Sequence, residues 1–182
     1  MQQMIDSSPL RTSARRSRRI VDVIRWTLVL LAVGLTGWAF LQPGGFGVVI
    51  SEQFGGDERI QAWQSIALAA LAVTQIALWF LATTSLSRVL GCLAGADTFP
   101  PQAAEHAARA ARLMWVALIG ALLSQPIGSV LATWTRGEGE RLLSLQLSTS
   151  HLAALIAVLL MGFMAQALRL AAALWQDHRE IV

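Results

Sequence analysis

The chain has 182 residues, of which 55% are hydrophobic and only 14% charged, and its mean hydropathy is +0.55. Soluble domains usually carry about a quarter charged residues, so a water-soluble surface is excluded over much of the chain. The formal net charge is +3, all fourteen basic residues are arginine, and no nucleic-acid partner is expected, because the basic cluster adjoins an apolar run rather than a soluble domain.

Residues 1–19 are rich in Arg and Ser and predict a disordered basic tail. Arg11, Arg15, Arg16, Arg18, Arg19 and Arg25 precede or open the first apolar run. Ser17-Arg18-Arg19 faintly resembles a twin-arginine signal, but Asp22 stands where such signals want an apolar residue. The run also leads to Trp38-Ala39-Phe40 without a small-x-small cleavage site. An uncleaved first span is expected.

Crossing hydrocarbon takes about 20 predominantly apolar residues. Four stretches between consecutive charged residues are long enough, from Arg25 to Glu52, Arg59 to Arg88, Arg112 to Arg136 and Arg141 to Arg169. Trimmed at their turn signals they predict spans near 22–41, 62–86, 113–134 and 151–174. None alternates with period two, so helices rather than barrel strands are expected. The fold class predicted for residues 20–182 is an all-α, integral membrane four-helix bundle. Trp26, Trp38, Trp63, Trp115, Trp134 and Trp175 fall near span ends, where indole rings prefer to lie.

Between the first two spans, residues 42–61 contain Gln42-Pro43-Gly44-Gly45, Gly47, Gly55 and Gly56, which predict an irregular connection. In the middle loop, Pro100 and Pro101 suit a helix start, and Glu105 and Arg109 are spaced i,i+4 in the favourable order. Either the third span extends backward as one helix through this stretch, or a short interfacial helix precedes it. Arginines near the span ends divide as eleven (six in the N-terminal tail, Arg88, Arg109 and Arg112 in the middle loop, Arg169 and Arg179 at the C-terminal end) against three (Arg59, Arg136, Arg141). The positive-inside rule then places both termini in the cytoplasm.

Ionisable residues within spans are the usual pointer to transport, and here they are confined to the ends. Arg169 lies about one and a half turns inside the fourth span; it either snorkels to the interface, pairs with Asp22 or faces a cavity. Gln75, Gln125 and Gln166 lie at depth, where amides either bridge helices or line a polar path. Pro126 should kink the third span and free a carbonyl near Leu122. Gly120, Ser124, Gly128 and Ala132 form a small-residue stripe along that helix, the pattern of a dimer seam or of close packing inside the bundle.

No catalytic, metal or cofactor motif is visible. His106, His151 and His178 are scattered without i,i+4 pairing, and Cys92 stands alone. The chain reads as non-enzymatic. Its most economical role is a regulatory or accessory component acting through protein contacts, with a membrane-protein partner or as a homo-oligomer. The alternative is a transporter or channel component with Gln75, Gln125 and Gln166 on a shared polar path.

The middle loop, Gly91…Gly95-Ala96-Asp97-Thr98-Phe99-Pro100-Pro101-Gln102, and the C-terminal segment, Leu168-Arg169…Leu174-Trp175-Gln176-Asp177-His178-Arg179-Glu180-Ile181-Val182, resemble the domain-of-unknown-function 2975 family. Its members are small bacterial membrane proteins with four spans, a turn of the type Gly-x-Pro-Phe-Thr and a basic helix leading into the third span. Pro100 and Pro101 replace that family's capping threonine and its follower. The resemblance implies the bacterial cytoplasmic membrane and a regulatory or sensing role, and it carries over no activity.

Overall fold

The computed structural model describes residues 8–53, 60–95, 101–135, 143 and 148–180. The chain is an all-α four-helix bundle built from α1 (Ser8–Leu41), α3 (Ala62–Gly95), α4 (Pro101–Ala132) and α5 (Thr149–Glu180), with a short additional helix α2 (Pro43–Gln53). No strand occurs among the described residues.

All four long helices are long and apolar enough to cross a membrane. At most 22% of the most apolar stretch of any of them is buried within the protein. What they bury and what they expose inverts the rule for soluble proteins. Twelve of the eighteen buried hydrophobic residues described are alanine, whereas Leu30, Phe40, Leu123, Leu160 and Phe163 lie on the outside. Lipid tails solvate Leu and Phe as well as a protein core does, so small residues take the contacts where backbones must approach. The chain is therefore an integral membrane protein with its broad apolar faces toward the bilayer.

Several boundaries differ from the sequence expectation. The described part of the basic tail, residues 8–19, is not disordered but forms the first turns of α1. Arginine and alanine are good helix formers, and a helix that is already nucleated in the membrane propagates at little cost. Residues 1–7 lie outside the described part. The 42–61 connection is not wholly irregular either, since α2 occupies Pro43–Gln53. Pro43 takes the first helical position, where its missing N–H costs nothing, and the Phe46 N–H donates to the Gln42 carbonyl at 3.0 Å. Finally, the third span and the middle loop form one helix from Pro101, and Trp134 lies just past its end, in a turn.

The chain divides into two compact units. One comprises Met1–Thr27, Phe80–Trp115 and Ile156–Val182; the other comprises Leu28–Trp79 and Val116–Leu155. In the first unit Val89 of α3 packs with Ala107, Ala110 and Ala111 of α4 and with Met161 and Ala165 of α5. The alanines recur every three or four residues, so one face of the first turns of α4 is flat and packs inside the unit rather than lying free on a membrane surface.

The second unit is closed by α2. Phe46 is fully buried, with its ring edge-on to Trp38 at 5.6 Å, and it clusters with Ala39, Leu68 and Ala69. Gly47 permits this fit: a Cβ there would stand 2.5 Å from Ile60 Cγ1 and 2.7 Å from Ser65 Oγ. The Ser65 hydroxyl donates to the Pro43 carbonyl at 3.0 Å and ties α3 to α2.

Candidate functional site

In the second unit two side-chain amides, Gln64 and Gln75, tie α3 to α4. Gln64 is fully buried at the start of α3. Its Oε1 accepts the Gln61 N–H at 2.7 Å, the reciprocal arm of a capping box. Its Nε2 donates to the Leu131 carbonyl at 2.7 Å, in the last turn of α4. The same carbonyl accepts the Trp134 N–H at a longer 3.4 Å, so the Gln64 amide reaches groups on two helices. Gln75 donates through Nε2 to the Ala117 carbonyl at 2.7 Å. Its Oε1 rests in the notch at Gly120, where a Cβ would come within 2.8 Å. Thr74 returns its hydroxyl to the Ala70 carbonyl at 2.8 Å.

Of the small-residue stripe, Gly128 and Ala132 are buried, and Gly120 and Ser124 are half-buried. Gly120 meets Gln75 and Leu78 of α3, so at that point the stripe serves packing within the chain. The Ser124 hydroxyl donates to the Ala121 carbonyl at 2.7 Å, and that of Ser129 to the Pro126 carbonyl at 2.9 Å. Gln125 is half-buried. His151 caps α5: the Ser148 N–H lies 3.2 Å from its Nδ1, and the Ser148 hydroxyl 2.8 Å from it.

Gln166 and Arg169 belong to the first unit and are exposed on α5. Gln166 has no hydrogen-bonding partner among the described residues. It interrupts a stripe of exposed apolar side chains, Leu159, Phe163, Leu170 and Leu174. The spacings of four, three, four and four residues keep these side chains on one face of α5, as helix pairing requires. Gly162, one turn before Gln166, opens onto free space.

The first unit also holds a basic cleft, which the sequence analysis did not identify. Arg18 and Arg25 of α1, Arg88 of α3 and His106 of α4 converge on a cavity of about 480 Å³. A second cavity of about 430 Å³, lined by Arg15, Arg18, Arg19 and Asp22, shares Arg18 and Gly91 with it. Asp22 is the sole carboxylate on either wall among the described residues. It accepts the Ser87 hydroxyl at 3.0 Å and pairs with Arg25 at 3.7 Å and Arg18 at 4.0 Å. These pairs are long and partly solvated, so each contributes little to stability. Of the three fates considered for Arg169, pairing with Asp22 has less room, because Arg18, Arg25 and Ser87 already face that carboxylate.

The i,i+4 and i,i+3 spacing of Arg18, Asp22 and Arg25 was a signal available in the sequence. That α3 would bring Ser87, Arg88 and Gly91 to the same place was not. The chain matches no family model, no curated protein and no solved structure.

Proposed function

We propose that the chain is a non-enzymatic regulatory or accessory protein of a bacterial cytoplasmic membrane, and that it acts by pairing α5 with another transmembrane helix. Both termini lie in the cytoplasm in this reading, which the eleven-to-three division of arginines supports. Its bacterial setting and regulatory colour rest on the resemblance to the domain-of-unknown-function 2975 family.

The observation that carries the reading is Gln166. Counted from Leu174, where the apolar part of α5 ends, it lies about 12 Å along the helix. An unpaired amide facing hydrocarbon is costly, whereas one amide within an apolar seam specifies a partner and a register. The stripe around it gives that partner an apolar contact, and Gly162 lets its backbone come close.

The test is purification from native membranes in mild detergent, followed by native mass measurement of the wild type and of Gln166→Leu. A second chain on the wild type, either a copy or another membrane protein, that Gln166→Leu largely releases supports the reading. A wild-type monomer, or an assembly indifferent to Gln166→Leu, overturns it.

A further inference from the structure

The arginines of the cleft are arranged differently from a tail that only sets orientation. Three helices contribute to it, and the guanidinium of Arg18 lies over Gly91, where a Cβ would stand 3.3 Å from its Nη1. Among the described residues, five arginines and one aspartate line the two adjacent cavities, which makes their walls strongly cationic. Asp22 is already engaged with Ser87, Arg25 and Arg18, and Arg15, Arg19 and Arg88 line the cavities with no ion-pair partner among the described residues. Planar guanidinium forks match phosphate oxygens two at a time.

We propose that this cleft is a phosphate-binding site, and that its ligand is the phosphate of an anionic lipid headgroup. The lipid source follows from the surroundings. Arg25 is next to Trp26, which is 63% exposed, and Val23 and Ile24 are exposed on the same stretch of α1. An indole beside exposed aliphatic residues marks the headgroup level, so the cleft opens where lipid phosphates lie and acyl chains have an apolar surface to follow. Free phosphate shares the headgroup's chemistry but makes no use of that surface.

The full chain is reconstituted in nanodiscs of phosphatidylcholine with a minor share of phosphatidylglycerol, and the lipid retained on release into detergent is measured. The wild type should retain phosphatidylglycerol over phosphatidylcholine by roughly tenfold, the scale of one charge-assisted bond. The variant Arg18→Gln/Arg88→Gln should lose that preference. The variant Arg109→Gln/Arg112→Gln, with the same net charge and its changes outside the cavity walls, should keep it. Gly91→Leu alters no charge but intrudes on Arg18 and should also lose it, which separates a shaped site from general attraction. Equal loss in both arginine pairs, or retention in Gly91→Leu, overturns the proposal. Displacement of phosphatidylglycerol by millimolar inorganic phosphate overturns the assignment to lipid and makes the site one for free phosphate.

Discussion

The Gln75 side-chain amide donates to the Ala117 carbonyl at 2.7 Å while its oxygen rests in the notch at Gly120. An amide that could have lined a polar path is thereby committed to holding α3 against α4. Two substitutions probe this contact from either side. Gln75→Leu should cost only about 0.6 kcal/mol, because intramembrane side-chain hydrogen bonds are individually modest. Gly120→Leu forces a side chain into the space of Gln75 and Leu78 and should cost more, about 1–3 kcal/mol. Unfolding in mixed micelles measures both, and the reverse order would show that the notch is looser than its geometry.

Gln64 stands under a heavier penalty. Gln64→Leu removes the partner of the Gln61 N–H and the shorter of two hydrogen bonds to the Leu131 carbonyl, which keeps only the Trp134 N–H at 3.4 Å. The expected loss is about 1–3 kcal/mol, two hydrogen bonds at about 0.5–1.5 kcal/mol each. Hydrogen exchange should rise first at the start of α3, and unchanged exchange there would remove the capping role.

Gly47 and Ile60 should be energetically coupled. Gly47→Ala places a methyl 2.5 Å from Ile60 Cγ1, so it should destabilise, and Ile60→Ala should restore part of the loss. A double-mutant cycle with a coupling of about 1 kcal/mol is expected. Strict additivity would mean that α2 moves aside rather than resisting.

Transmembrane orientation is open to single-cysteine labelling in a Cys92→Ala background. Ser13 and Glu52 are both exposed, on α1 and α2 respectively. With both termini cytoplasmic, an impermeant maleimide should label Glu52→Cys on intact cells and Ser13→Cys only in inverted vesicles. The opposite pattern reverses the topology.

Asp22→Asn removes the one carboxylate that the described residues give the cleft walls and frees Ser87, Arg25 and Arg18 from it. Retention of anionic lipid should then increase by roughly two- to fivefold, a modest step suited to partly solvated charges. Weaker retention would mean that Asp22 orients the arginines for the ligand.

The positions of the four spans were legible because lipid imposes a long, uniform signal: charge-free stretches of fixed minimum length bounded by Arg and Trp. The extents of the helices were less legible. Hydropathy marks where a helix enters water, not where it stops, and Ser8–Arg19 and Pro101–Arg112 are helical well beyond any apolar limit. At Pro43–Gln53 the turn residues pointed away from a helix, and only the packing of Phe46 and Gly47 explains why they form one. The small-residue stripe was visible as a pattern, yet its partner was not, since Gly120 suits a second chain and α3 equally. The basic cleft was hidden for a similar reason. Arg18 and Gly91 are far apart in the chain, and nothing local marks Gly91 as the place where the guanidinium comes to rest.

The alanine interior also sets how this protein can change over evolutionary time. A leucine core tolerates exchange, because one bulky residue can shrink while its neighbour grows. Ala107, Ala110 and Ala117 are fully buried with almost no side chain to trade, so substitutions there are penalised in one direction, toward size. The lipid-facing residues carry no such restriction beyond remaining apolar. Lineages of this chain should therefore vary freely on the outside and stay fixed within, with Gln166 as the informative exception among the outward positions.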